Sequence, residues 1–247
     1  MVEESGLAKL FFELASESRL CILRELQKEN LKMQEIARRL DVTPTEAFRQ
    51  LERLSAASLV RRQPDGTFAL AEYGKLVLQI STSLDFISKH KEYFSTHDLM
   101  RLPSQFVNRL GELENAELEM DTVESLNKGA KWFTDAKQYA WGIGEGTIPE
   151  HMISVMNQQV QHGIQIKMIT PRELLPAVNQ PGTPKNVETR GLSDIPVVIA
   201  LTEKMAGICF RQIGGRMDYA GFFGEDPVFH NWVKDLFRYH WEKAKQT

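Results

Sequence analysis

The sequence predicts a two-domain protein that mixes helix and sheet: a small α+β module closed by a β-hairpin, followed by an α/β domain with a mixed sheet. Three observations predict this. Apolar residues between Leu7 and Leu59 recur at spacings of three and four in short stretches separated by turn signals. The run Val60 to Leu70 reads as two short strands around Pro64-Asp65-Gly66. From Gln138 onward, apolar strand-like runs alternate with a helical pattern.

The elements follow in order. Leu7 to Leu14 forms a first helix, and Ser16 or Ser18 caps a second carrying Leu20, Ile22, Leu23 and Leu26. A third begins near Lys32 with Met33, Ile36, Ala37 and Leu40 on one face. Asp41-Val42-Thr43-Pro44 then breaks it and opens a fourth, whose Ala47, Leu51 and Leu54 point inward. A long helix is expected from Tyr73 through about Phe94, and another helical stretch beyond Pro103 through Phe106, Leu110, Leu113 and Leu118. Asp121 caps a helix containing Val123, Leu126, Ala130 and Phe133. Tyr139 to Ile143, a helix opened by Pro149 and running to His162, and Ile164 to Ile169 make a right-handed βαβ unit. Pro171, Pro176, Pro181 and Pro184 punctuate a loop-rich segment; Pro196 to Leu201 and Ala206 to Phe210 form a hairpin. Asp226-Pro227 opens a final helix with a broad apolar stripe of Phe229, Trp232, Val233, Leu236, Phe237, His240 and Trp241. The expected division is residues 1–72, a linking or dimerising helix over 73–97, and the α/β domain over 98–247.

Composition narrows the function classes. The chain is 42% hydrophobic and 26% charged, with few prolines and glycines, which excludes disordered and fibrous classes. Its net charge of −3 excludes a nucleic-acid wrapper that is basic throughout, yet residues 17–66 hold ten basic against eight acidic residues. Cys21 and Cys209 lie far apart with no CxxC spacing, so neither a disulfide framework nor a zinc ribbon is expected. Both read as small buried apolar residues first and as redox sensors second. The acidic start Met1-Val2-Glu3-Glu4 does not resemble a signal peptide, and the longest apolar run, Ile195 to Leu201, is far short of the roughly 18 residues of a membrane span. A cytoplasmic protein with no membrane partner is expected.

The order helix, helix, helix, turn, helix, hairpin is that of a winged helix-turn-helix, in which residues 43–56 take the place of the recognition helix. Thr43, Thr45, Glu46, Arg49, Gln50 and Arg53 are expected on its outward face. Arg and Gln carry paired donors and acceptors that match guanine and adenine edges, so Arg49 and Gln50 lead. Arg61 and Arg62 sit in the wing, where cations meet phosphate or enter a minor groove. Double-stranded DNA bound by a homodimer is the expected partner.

Leu14-Ala15-Ser16-Glu17-Ser18-Arg19-Leu20-Cys21-Ile22-Leu23 resembles the opening of the ArsR-like winged-helix regulators. Leu51-Glu52-Arg53-Leu54, Leu59-Val60-Arg61-Arg62 and Asp65-Gly66-Thr67-Phe68-Ala69-Leu70 resemble their passage from helix to wing. The likeness covers about the first 90 residues. Gly221-Phe222-Phe223-Gly224-Glu225-Asp226, with Trp232 and Asp235-Leu236-Phe237-Arg238-Tyr239-His240-Trp241, resembles the C-terminal domain of archaeal regulators of methanogenesis genes. That domain has a phospholipase-D-like fold, similar to the sensor half of the archaeal TrmB regulators. The resemblance implies a one-component archaeal transcription factor with a sensor domain. Two departures bear on chemistry. The metal-sensing ArsR proteins carry two neighbouring cysteines where residues 30–56 here have none. Phospholipase-D-like enzymes need His-x-Lys-x4-Asp, and none of His90, His97, His151, His162, His230 or His240 has Lys two positions on.

The candidate effector site is the loop Gly142-Ile143-Gly144-Glu145-Gly146, placed between a strand and a helix where backbone amides can hold an anion. It lacks the Lys-Ser/Thr of a phosphate loop, and an ordinary tight turn is the simpler reading. Tyr139 and Trp141, expected beside that loop at the strand's end, are the aromatic candidates for ligand contact. Arg211 and Arg216 flank Gly214-Gly215 in a turn where an anionic effector could dock. His230 and His240 share a helix face but lie about 15 Å apart, too far for one metal. No cofactor, metal or catalytic residue is expected, and hence no enzyme. Two alternatives stay open: a DNA-binding protein whose C-terminal domain only dimerises or recruits proteins, and a hydrolase-like enzyme whose winged helix contacts protein.

Overall fold

A computed structural model describes residues 6–146, 150–178 and 186–245. The expectations resting on Pro149, Pro181 and Pro184 lie outside the described residues. The chain divides into two compact units, Met1–Thr82 and Ser83–Thr247, and combines helices with a seven-stranded mixed sheet.

In the first unit α1 (Gly6–Leu14), α2 (Glu17–Lys28), α3 (Met33–Arg39) and α4 (Pro44–Ala56) precede a hairpin of β2 (Val60–Arg62) and β3 (Thr67–Leu70). Ile22, Leu23, Leu26, Ile36, Leu51 and Leu54 form the centre of the core. This is the predicted winged helix-turn-helix, and its turns have local causes. Asp41, at φ +53°, takes the left-handed conformation that lets Val42 N–H donate back to the Ala37 carbonyl at 3.0 Å. Thr43 Oγ1 then accepts from Glu46 N–H at 3.2 Å, and Pro44 supplies the preset φ of a first helical residue. Ser16 precedes α2, but its hydroxyl makes no capping bond. A short strand missed by the sequence reading, β1 (Leu31–Lys32), pairs with β3 to make a three-stranded sheet of order β1-β3-β2.

α5 (Glu72–Lys89) ends at Lys89, and α6 (Lys91–Phe94) follows, so the single helix expected through Phe94 is broken at His90. The boundary between the units falls within α5. Val77 and Leu78 are buried in the first core and Phe86 in the second. Residues 73–97 thus divide between the two units, with Val77, Leu78 and Phe86 buried and Tyr73, Leu76, Ile80 and Leu84 exposed on α5.

The second unit continues with α7 (Ser104–Val107), a 3-10 turn over Leu110–Leu113 and β4 (Glu117–Glu119). Leu118, expected in a helix, instead pairs with Phe222 at a sheet edge, where the strand meets hydrogen bonds that the short helical pattern could not supply. Next come α8 (Thr122–Asp135), β5 (Tyr139–Ile143), α9 (Glu150–Gln161) and β6 (Gln165–Pro171), with β5 and β6 parallel as predicted. The proline-rich segment holds a short α10 (Leu175–Val178) and leads into β7 (Val187–Leu192), a strand the sequence reading missed. β8 (Val197–Thr202) and β9 (Ala206–Phe210) form the predicted hairpin, and β10 (Gly221–Gly224) and α11 (Pro227–Lys243) complete the unit. The sheet order is β4-β10-β9-β8-β5-β6-β7.

One sheet face is packed by α11. Asp226 Oδ1 caps it by accepting from Val228 and Phe229 N–H, each at 3.0 Å. The stripe read from the sequence, Phe229 through Trp241, is buried against Ile199, Ile208, Phe210 and Phe222. Alternation along the strands sends Ala140, Gly142, Val198 and Ala200 to the other face.

Candidate nucleic-acid interface and ligand cavity

α4 buries Ala47, Gln50, Leu51 and Leu54, which leaves Thr45, Phe48, Arg49, Glu52 and Arg53 outward. Gln50, expected outward, is only 8% exposed. Its Oε1 accepts from Arg19 Nη1 at 3.1 Å and its Nε2 donates to Glu46 Oε1. The reason is angular: position 50 falls one turn before Leu54 and three residues after Ala47, inside the buried stripe. Gln50 is thus a structural residue.

Arg19 is the partner that the sequence did not reveal. Buried in α2, it donates from Nε to the Glu13 carbonyl and from Nη2 to the Phe12 carbonyl, both at 2.7 Å, and pairs with Glu13 Oε2 at 3.0 Å. α1 buries no residue fully; Leu10 and Leu14 pack against the first core, and this guanidinium and the pair between Arg53 Nη2 and Glu13 Oε1 at 2.8 Å tie the helix down further. Arg53, whose guanidinium also lies 5.2 Å from the Phe12 ring centroid, is committed to that contact.

Arg49 is 70% exposed at its side chain and touches Glu46 Oε2 at 2.6 Å, an i,i+3 pair that solvent screens. Beside it stands Phe48, 51% exposed, a residue the sequence reading passed over. Its signal was visible: a large apolar side chain lies opposite the buried stripe. Thr43 is taken up by its capping bond, whereas Thr45 is exposed.

The wing turn is built by Asp65 and Gly66. Asp65 Oδ1 accepts from Thr67 N–H at 2.9 Å and Thr67 Oγ1 at 2.7 Å, bonds that hold its carboxyl below the usual range. Gly66 sits at φ +84°, where its N–H donates to the Gln63 carbonyl at 3.0 Å. Arg61 and Arg62 are both exposed on β2, on opposite faces of the strand.

In the second unit a cavity of about 620 Å³ lies between α8, α9 and the sheet. Gly142 and Gly144 border it, but the ring of Trp141 turns the other way and stacks on Phe237 of α11, with centroids 5.2 Å apart. Tyr139 packs against Trp141 on that same face, at 4.6 Å, and opens β5 rather than ending it. Lys234 Nζ stands 5.0 Å from the Tyr139 ring and 5.5 Å from the Trp141 ring, and burial together with Arg238 lowers the pKa of this ammonium. Nearness to the strand's end chose these two aromatics, and that rule does not say which face they take; alternation along β5 puts both on the α11 side. Arg211 is engaged as well: it donates from Nε to the Ile195 carbonyl at 2.6 Å and pairs through Nη2 with Glu145 at 2.7 Å. Arg216 is exposed and stands apart from the cavity.

Cys209 Sγ donates to the Tyr219 carbonyl at 3.2 Å, and burial pushes its thiol pKa far up, which leaves no reactive thiolate. Cys21 is partly exposed rather than buried. His230 Nε2 meets the Thr202 carbonyl at 2.7 Å, while His240 is buried. Among the described residues no group of three metal-ligating side chains gathers, and no helix is long and apolar enough to cross a membrane.

No family model and no curated protein sequence matches the chain. Among solved structures it is similar to TrmBL2, described as an archaeal chromatin protein with a novel mode of DNA binding. The identity is 14% over 88% of each chain, at a TM-score of 0.45. It is also similar to NucT from Helicobacter pylori (9% identity, 54% of this chain and 98% of that one, TM-score 0.43). The phospholipase D family member Nuc from Salmonella typhimurium matches likewise at 9% identity, over 54% of this chain and 99% of that one, with a TM-score of 0.41.

Proposed function

We propose that this chain is a one-component transcriptional regulator: a homodimer whose winged helices bind operator DNA and whose second unit binds a small-molecule effector. The observation that carries the DNA reading is the outward face of α4, where Arg49, Thr45 and Phe48 stand exposed on a helix preceded by the short α3–α4 turn and followed by a hairpin bearing Arg61 and Arg62. Arg49 would read a guanine edge, Phe48 and the Thr45 methyl would meet thymine methyl groups, and the wing cations would meet phosphate. An acidic chain overall suits a protein that binds DNA through one face and needs no general attraction to it.

Exposed apolar residues support the dimer. Leu7, Phe11 and Phe12 on α1, and Tyr73, Leu76 and Ile80 on α5, face solvent at helical spacing. Two-fold pairing would set the recognition helices about 34 Å apart on successive major grooves. The second unit works by binding rather than catalysis in this reading, in keeping with its engaged Cys209 and its apolar cavity. Effector binding would shift operator affinity by about 1–3 kcal/mol.

The test is fluorescence anisotropy of the full chain with DNA from upstream of its own gene and with scrambled DNA, across a salt series. Selective binding that weakens in Arg49→Ala is expected. Equal and steeply salt-dependent binding to both DNAs would leave nonspecific attraction only, and the regulator reading would fall.

A further inference from the structure

The floor of the cavity is written in strand register. Across the sheet, Met168 of β6 pairs with Gly142 of β5, Gly142 with Ala200 of β8, Ala200 with Gly207 of β9, and Gly207 with Phe223 of β10. One row thus runs large, small, small, small, large. A side chain at Gly142 would meet Met168 Sδ at 3.0 Å, and one at Gly207 would meet the Phe223 ring at 2.6 Å. Met168 and Phe223 thus lean over Gly142 and Gly207 and take up the room that those glycines leave, and the hollow that remains borders Ala200 between them.

The polarity of the lining selects the occupant. Glu145 is the one charged side chain bordering the cavity among the described residues, and Arg211 neutralises it at 2.7 Å. Thr202 Oγ1 accepts from Met205 N–H at 3.1 Å, and Cys209 donates to Tyr219, so both are spent inside the protein. Ser125 differs. Its side chain, on α8 and bordering the cavity, is 4% exposed, and its hydroxyl has no hydrogen-bond partner among the described residues. A buried hydroxyl left unpaired is costly, and a ligand that pairs with it removes that cost. Asn127 and Tyr219 also border the cavity, but both are uncharged; a phosphate or carboxylate would find no free cation among the described lining residues, and a sugar would set several hydroxyls against Leu126, Phe133 and Val198.

We propose that this cavity binds an uncharged, largely apolar molecule held by a hydrogen bond to Ser125 Oγ. This rests on the effector reading above and names its ligand class. The volume suits a molecule of drug-like size.

The experiment titrates the full chain with Nile red, a neutral flat dye with a carbonyl acceptor, and in parallel with trehalose and inorganic phosphate. Saturable dye binding is expected, lost or weakened at least about tenfold in Ala200→Phe, whose ring would fill the hollow. Ser125→Ala is expected to weaken binding about 3- to 10-fold while raising the melting temperature of the ligand-free chain. If Ala200→Phe does not fold by circular dichroism, Ser125→Ala decides alone. Dye binding indifferent to Ser125→Ala, or stabilisation by trehalose or phosphate without dye binding, would overturn the proposal. Operator affinity with and without dye separates the two readings. Cavity binding that leaves DNA affinity unchanged would sink the sensor while the cavity assignment stands.

Discussion

At the residue scale, burial decides which polar side chains read a partner and which hold the fold. Gln50 and Arg53 have the right chemistry for base edges, yet Arg19 and Glu13 claim them. Gln50→Ala is therefore expected to cost about 1–3 kcal/mol by urea denaturation, because Arg19 loses a buried acceptor, with operator preference unchanged. Preference lost without destabilisation would return Gln50 to the reading face. A second residue sets a pH limit. Burial, reinforced by Lys243, lowers the His240 pKa from 6.5 to about 4. The unfolded chain thus binds a proton that the folded chain refuses between those values. Stability contributed by neutral His240 is whole above pH 6.5 and drains away toward pH 4, by about 3 kcal/mol. Denaturation midpoints of His240→Leu across that window should slope less than those of wild type; equal slopes would count against it. The sequence marked position 240 as part of a buried stripe but could not show a ring nitrogen that has no hydrogen-bond partner among the described residues.

At the element scale, long periodic segments were legible and short pairings were not. α4, α8 and α11 announced themselves by spacing and caps, because each buries or covers a stripe that no other geometry accommodates. β1, β4 and β7 were missed because two to six residues carry little periodicity and owe their form to partners remote in sequence. At the site, position at the strand's end singled out Trp141 but could not say which face of the sheet its ring takes. α5 carries a hidden requirement at Gly74, where an added Cβ would lie 2.0 Å from the Leu59 carbonyl oxygen. Gly74→Ala should destabilise the first unit by about 1–3 kcal/mol through a backbone shift, measured by thermal melts of the full chain; an unchanged melt would contradict the close approach. On α4, Phe48→Ala should weaken operator binding by about 1–3 kcal/mol while leaving the melt unchanged, since its ring is half exposed.

At the scale of the whole molecule, the proposed reading surface and the cavity each lie within their own compact unit. The order of elements predicted two domains, but the boundary inside α5 was not legible, since one continuous helical pattern feeds both cores. The double variant Leu76→Glu/Ile80→Glu should turn a dimer into a monomer by light scattering and weaken operator binding with it; a dimer that persists would move the interface elsewhere. The most direct test of the regulator account is a hydroxyl-radical footprint of the full chain on DNA upstream of its own gene. Two protected stretches about 10 base pairs apart on each strand, lost together in Arg49→Ala, are the predicted result. Uniform protection, or a footprint untouched by Arg49→Ala, would contradict DNA reading by paired α4 helices.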